Sequence, residues 1–360
     1  MTTVPKQAAD ITAEWLTTVL KGRGLLKGEV TAVEAETIGT GVGLMAGLAR
    51  LRLTFAGEED LPDTMVAKTA ALNENKAVAQ LLDFYNREVN FYNRVADDCP
   101  FRVPESYYGD VDQETYDFVL LMEDLGDVAP VDQITGATED EAYDKVARIA
   151  RLQAMFWNRV DEDQYDWMYD FQGPEELIKL RDYVYGPAAE PCIEKFSDHL
   201  DDDNRALIRA VGEQYAELLE PVSSHRTFCH GDFRQDNFIY RKGDSEAVVM
   251  DWQISGKGYP IFDFTYFVCQ SLQVDLRREI ERELMMHYLE TLKDAGVTGY
   301  DMETAWKDYR AMCLFCLVYP VTVCGTLDLA NDRGKALAEC MLDRNLTVID
   351  DLDCAEFLKG

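Results

Sequence analysis

The chain has 360 residues, 47% of them hydrophobic, with 67 acidic against 35 basic side chains and a formal net charge of −32. That length and apolar fraction suit two lobes with substantial cores and exclude wholesale disorder. The charge excludes nucleic acid and anionic lipid as readily bound partners, because both are held through Lys and Arg; it favours cationic or neutral partners, or serves solubility alone.

In chain order, Ile11 to Leu20 reads as an amphipathic helix with Ile11, Trp15, Leu16 and Val19 on one stripe. The run Ile38-Gly39-Thr-Gly41-Val-Gly43 then leads into a strand, Leu48 to Phe55, whose Leu51, Leu53 and Phe55 alternate with polar residues. Gly39, Gly41 and Gly43 either make a tight hairpin or let backbone amides approach phosphates. Since Leu44-Met45-Ala46 offers no polar side chain, any phosphate grip there is a main-chain one.

Thr64 to Ala70 is expected as the next strand, with Lys68 near its end. Asn75 to Ala96 reads as one long helix with Val78, Leu81, Leu82, Tyr85, Val89, Tyr92 and Val95 on its apolar stripe. Glu88 falls on or beside that stripe, three residues after Tyr85 and four before Tyr92. A carboxylate there is costly unless paired. Either Lys68 comes across to meet it, or Glu88 tilts to the edge and reaches water.

Tyr116 to Glu123 is an apolar strand closed by the acidic turn Glu123-Asp124-Leu-Gly126, and no Lys or Arg occurs between Val103 and Asp144. From Thr138 the pattern is mostly helical: Thr138-Glu-Asp-Glu141 is a capping box, Pro174 opens a further helix, and Arg205 to Leu219 continues the series. Three more helices are expected around Leu276 to Leu292, Met302 to Cys324 and Lys335 to Leu352. The pair Cys313 and Cys316 sits in an apolar run that ends near Pro320, reads as helix core rather than a metal site, and is too short to cross a bilayer. Nine scattered cysteines and an opening without an apolar leader suggest a reducing, cytoplasmic setting.

The chemistry concentrates in His230-Gly231-Asp232-Phe233-Arg234-Gln235-Asp236-Asn237, followed after a short hairpin by Val248-Val249-Met250-Asp251-Trp252-Gln253. An Asp, an Asn five residues on and a second Asp at a strand end suit phosphoryl transfer. That reaction needs a carboxylate to take the acceptor's proton and oxygen ligands holding Mg2+ against the phosphates. Asp232 fits the first role; Asn237 and Asp251 fit the second. His230 could act in catalysis or hydrogen-bond the loop backbone, and with Asp232 already present the second reading is preferred.

These residues resemble the aminoglycoside phosphotransferase and choline kinase superfamily, most closely its ecdysteroid-kinase-like branch, over about Glu36 to Leu272. Gly231 and Asp251-Trp-Gln stand where a protein kinase has the Arg of H-R-D and the D-F-G motif, and no A-P-E follows. The resemblance implies an α+β, bilobal protein-kinase-like fold. A small N-terminal lobe, residues 1–122, would carry an antiparallel sheet and one helix, and a larger mainly helical lobe, residues 123–360, would hold the catalytic loop and the substrate.

It further implies ATP and Mg2+ as cofactors, with Lys68 over the α- and β-phosphates, Glu88 fixing Lys68, Gly39, Gly41 and Gly43 at the phosphates, and Glu123 where the strand enters the adenine-binding hinge. Gly258-Tyr-Pro260-Ile-Phe-Asp263 matches a family segment in which Asp263 caps a helix and braces the catalytic loop. Gln153 stands where relatives often carry His and receives no role. The expected activity is phosphorylation of a hydroxyl on an aminoglycoside-, choline- or steroid-like alcohol. The alternative is an inert kinase-fold binding or regulatory protein, which commonly lacks one of Lys68, Glu88, Asp232, Asn237 and Asp251.

Overall fold

The computed structural model of the chain describes residues 3–38, 45–126, 128–129, 131–243, 246–326 and 332–359. Gly39, Gly41 and Gly43 lie outside the described residues. The fold is α+β, built from two compact units: Met1–Ala129 with Ile239–Ile254, and Pro130–Phe238 with Ser255–Gly360.

The first unit opens with helix α1, Ala13–Gly22, capped by the Thr12 hydroxyl, which accepts from the Trp15 N–H. An antiparallel sheet follows: β1 Val30–Ile38, β2 Ala46–Phe55, β3 Thr64–Ala70, β4 Ser106–Val111 and β5 Phe118–Glu123, in the order β1-β2-β3-β5-β4. One sheet face, with Leu51, Leu53, Met65, Ala67, Val119 and Leu121, forms a core with Leu16, Val19 and Leu20 of α1. Each of these Leu, Val and Met side chains contributes about 1.5–3 kcal/mol when fully buried. Strand alternation then turns Lys68 to the opposite face.

The segment after β3 is two helices, α2 Asn75–Leu81 and α3 Phe84–Arg94, rather than one. Asp83 breaks it by taking a left-handed backbone (φ 56°), which Asp tolerates because its short side chain bonds locally. Its carboxylate accepts from Asn86 Nδ2 at 2.7 Å and from the Tyr116 hydroxyl at 3.0 Å. The break reorients α2, so Val78 and Leu81 are exposed, whereas Tyr85, Val89 and Tyr92 of α3 are buried as the stripe predicts.

The chain leaves this unit after β6, Val128–Ala129, and returns through β8, Phe238–Arg241, and β9, Ala247–Val249. β6 pairs with β8, and Arg102 bridges to Val248. The sequence expectation of one boundary near Met122 has no counterpart to this return, which backbone pairing between distant segments produces.

The second unit holds α4 Glu139–Phe156, α5 Pro174–Lys179, α6 Gly186–Lys195 and α7 Asp202–Glu213, then β7 Thr227–Cys229 paired with β10 Gly256–Gly258, then α8 Ile261–Ser271 and α9 Val274–Asp294. It closes with α10 Met302–Cys316, α11 Val318–Thr326 and α12 Asp332–Asp351. The Thr138–Glu141 capping box is formed. Met302–Thr326 is long and apolar enough to cross a membrane, contrary to the shorter run read from the sequence, yet 72% of its apolar window is buried inside the fold. Cys313 and Cys316 lie within that core.

Candidate active site

In the first unit the charge pattern converges on Lys68. Its Nζ lies 2.8 Å from the Glu88 carboxylate and 3.4 Å from Asp251 Oδ1. Glu88 is 1% exposed, so it does not reach water and the lysine is its compensating charge. Burial alone would lower the Lys68 pKa, but Glu88 and Asp251 outweigh it and raise it, keeping the ammonium charged. Asp251 remains one-third exposed and sits in a left-handed backbone conformation, φ 63°. Such strain persists in a non-glycine residue only where the surroundings enforce it. Here the next residue, Trp252, is fully buried with its ring stacked 3.7 Å from Phe91 of α3. That packing fixes the strand end on the helix that also carries Glu88.

Glu123 ends β5, at the strand end from which the resemblance leaves adenine to backbone groups, and its side chain is engaged elsewhere. Its carboxylate takes Arg102 Nη2 at 2.8 Å and Arg241 Nη2 at 2.7 Å, and its N–H donates to the Glu105 carbonyl. The side chain thus ties the end of β5 to the loop before β4 and to β8. Neither arginine carried a motif signal in the sequence.

In the second unit the residues of the His230–Asn237 loop form a local network. Gly231 adopts φ 90°, a left-handed turn that favours glycine and brings the Asp232 backbone N–H to His230 Nδ1 at 3.1 Å. Asn237 Nδ2 donates to the Asp232 carbonyl at 2.7 Å and to Asp232 Oδ2 at 3.0 Å. Arg234 Nε lies 3.1 Å from Asp232 Oδ1, and Arg234 Nη1 lies 3.1 Å from Asp236. Burial would raise the Asp232 carboxyl, yet the Arg234 guanidinium and the Asn237 amide, helped by His230 and the Tyr266 hydroxyl, hold it below the usual carboxylate range. Asp232 is therefore ionised and aimed, able to accept a hydrogen bond from an incoming hydroxyl. His230, fully buried, serves the loop backbone, as the preferred reading had it.

Beneath the loop, Asp263 corrects the expectation of a helix cap. It occupies the first turn of α8, where Pro260 precedes the helix without a side-chain cap, and is fully buried. Its two oxygens instead accept from the His230 N–H and the Gly231 N–H, both at 3.0 Å. Gln153 of α4, which received no role from the sequence, donates to Asp263 at 3.2 Å and to the Pro260 carbonyl at 2.9 Å, and accepts from the Tyr288 hydroxyl at 2.6 Å. Burial pushes the Asp263 carboxyl up to about 6 against the pull of those donors. From α11, the Tyr319 hydroxyl donates to the Gly231 carbonyl at 2.9 Å. No spacing rule links Gln153 or Tyr319 to the loop; only the helix packing does.

Residues 41–297 match the model of the ecdysteroid kinase-like family. The chain belongs to that family. Among solved structures, this family member resembles a choline kinase from Cryptosporidium parvum (TM-score 0.55, 13% identity, 91% of each chain covered). It also resembles a microcompartment-associated aminopropanol kinase (TM-score 0.53, 12% identity, 96% of this chain and 99% of the other). At such identities the likeness is one of fold. Among curated proteins it is 22% identical over 321 residues to the Caenorhabditis elegans uncharacterized oxidoreductase dhs-27, covering 80% of this chain and 38% of that protein. It is 29% identical over 109 residues to acyl-CoA dehydrogenase family member 10 of Mus musculus, covering 30% of this chain and 9% of the other. The chain thus spans well under half the length of these curated relatives.

Proposed function

We propose that this family member is an ATP- and Mg2+-dependent phosphotransferase that phosphorylates a hydroxyl group of a small molecule. The observation that carries the reading is the Lys68 ammonium held between Glu88 and Asp251. A buried lysine kept charged by two carboxylates, one of them one-third exposed, suits a phosphate-binding cation beside a metal-binding carboxylate. Asp232 supplies the other half: it orients the acceptor hydroxyl, accepts its proton as the new bond forms, and is itself oriented by Asn237.

Asp251 and the amide oxygen of Asn237 are the hard oxygen donors that would hold Mg2+, and their chemistry fits an ion that takes few protein ligands and shares phosphates. When bound, the ion neutralises charge on the phosphates. Lys68 would take the α- and β-phosphates, with main-chain amides at Gly39, Gly41 and Gly43 assisting. At Glu123 the contact with adenine would be left to backbone groups, since its carboxylate is engaged by Arg102 and Arg241. The acceptor class extends over choline-like amines, aminoglycosides, hydroxylated steroids and hydroxyacyl thioesters. The acidic surface favours a cation, and the 18 Tyr, 16 Phe and 5 Trp favour a hydrophobic ring system.

The test is an ATP-consumption screen over a panel of these alcohols, paired with calorimetry of ATP binding with and without Mg2+. Consumption with one acceptor class, and Mg2+-dependent tightening that disappears in Asp251→Ala, is the expected result. Mg2+-dependent ATP binding with no consumption across the panel would turn the reading toward the inert binding protein.

A further inference from the structure

Arg234 is the one Lys or Arg in residues 230–237, in a chain of net charge −32, and it stands against the carboxylate that the proposed chemistry uses. Its guanidinium bridges two acids, Nε at 3.1 Å from Asp232 and Nη1 at 3.1 Å from Asp236, and its side chain is 22% exposed. We propose that Arg234 is a catalytic residue that binds the transferring phosphoryl group, taking phosphoryl oxygens into the fork of its guanidinium while Asp232 turns to the acceptor hydroxyl. This rests on the phosphotransferase reading above.

The argument begins with charge. A hydroxyl hydrogen-bonded to Asp232 must attack the γ-phosphorus, so the phosphoryl oxygens arrive within a few ångströms of a carboxylate. In the transfer, the acceptor oxygen–phosphorus bond forms, the bond from phosphorus to the bridging oxygen of ADP breaks, ADP leaves with that electron pair, and the hydroxyl proton passes to Asp232. Negative charge therefore gathers beside a group that is itself negative. A guanidinium within 3.1 Å of that carboxylate is unavoidably near the reacting phosphorus, and its planar set of donors matches phosphate oxygens. Asp236 keeps the guanidinium in place when Asp232 exchanges partners.

A purely structural ion pair is the competing account. The turn, however, is already held without it: Asn237 grips the Asp232 carbonyl and carboxylate, Asp263 takes two backbone N–H groups, and Tyr319 takes the Gly231 carbonyl. Arg234 adds charge where no further fastening is needed.

The experiment uses the full chain with MgATP, with MgADP plus aluminium fluoride as a stand-in for the transferring phosphoryl, and with water as the acceptor in slow ATP hydrolysis. Arg234→Met should leave MgATP affinity within about threefold, abolish the extra affinity for MgADP that aluminium fluoride brings, and slow hydrolysis by about a hundredfold, the scale for losing one preorganised charge-stabilising donor. Arg234→Lys should recover part of both losses, and it preserves the test should the methionine variant not fold. Fluoride tightening equal to wild type in Arg234→Met overturns the assignment, and an upward shift of the acid limb of the pH–rate profile as the only change recasts Arg234 as a positioning residue and overturns it too. A wild type that gains nothing from fluoride also counts against it. A wild type that does not bind MgATP at all fails the phosphotransferase reading itself, which separates the two.

Discussion

The Lys68 cluster of the first unit and the Asp232 loop of the second are built on opposite principles. Around Lys68, three charged groups come from β3, α3 and the segment after β9, as far apart in sequence as residues 68, 88 and 251, and what holds them is attraction across a nearly dry interior. Around Asp232, most partners lie within a few residues or bind through backbone groups, and directed hydrogen bonds set the geometry. On the proposed reading, the first would grip a charged ligand with a lysine kept ionised by surrounding acids, and the second would aim one oxygen from a fixed turn. Charge removal should therefore be felt in stability and affinity at the first, and in rate at the second.

The largest break is expected at Lys68. Lys68→Met strands the Glu88 carboxylate at 1% exposure, and removing one partner of a buried pair costs about 3–5 kcal/mol. Denaturant unfolding should show that loss together with weakened ATP binding. Glu88→Gln in the same background should restore much of the stability and none of the binding. Equal stability of Lys68→Met and wild type would mean that charge is not what organises this region.

Asp263 tests the brace beneath the loop. Its carboxyl is raised from an ordinary 3.8 to about 6 in the folded protein, so the folded state holds the proton more tightly than the unfolded chain does. Its contribution is thus fully present below pH about 4 and lost as pH rises through about 6, a swing of about 3 kcal/mol for a shift of roughly two units. Asp263→Asn does not titrate, so its unfolding free energy minus that of wild type should climb between those pH values and then level off. A difference flat across that window would place the Asp263 proton elsewhere.

Asp232→Asn sharpens the contrast from the other side. Turnover with the true acceptor should fall about a hundredfold, about 2.7 kcal/mol in the barrier, with MgATP affinity little changed. Near-wild-type turnover would remove Asp232 from the reaction. Tyr319→Phe is the smallest change: it deletes the hydroxyl bond to the Gly231 carbonyl, worth about 1 kcal/mol in thermal stability. Its rate effect should be correspondingly slight, read as kcat with KM unchanged.

How much could be read from the sequence follows the same division. The Asp232–Asn237 turn was legible because its parts are neighbours and their spacing is the structure. Lys68 with Glu88 was legible for a physical reason, a carboxylate on a buried stripe that had to find a cation. The break at Asp83 was not, because the apolar period runs through it and only the left-handed backbone of one residue shows otherwise. Asp263 was legible in part: the bracing of the loop that the resemblance implies is present, but the residue lies in the first turn of the helix and not at its cap, and neither Gln153 beneath it nor the engagement of Glu123 by Arg102 and Arg241, which depends on where loops fold back, had any signal. Arg234 was in plain view but silent, since an arginine beside two aspartates reads as a solvated charge pair until its distances are known.

The return of residues 239–254 to the first unit bears on how the protein is born. A ribosome delivers β1 to β6 long before Asp251 and Trp252, so the emerging chain waits through more than a hundred residues of the second unit with Phe91 lacking the ring that stacks on it and Lys68 lacking one of its two acids. The nascent unit is incomplete at the Lys68 cluster and at the Phe91 ring, and the segment after β9 completes both. A fragment ended at residue 129 would stay permanently at that stage, with apolar surface open to other chains.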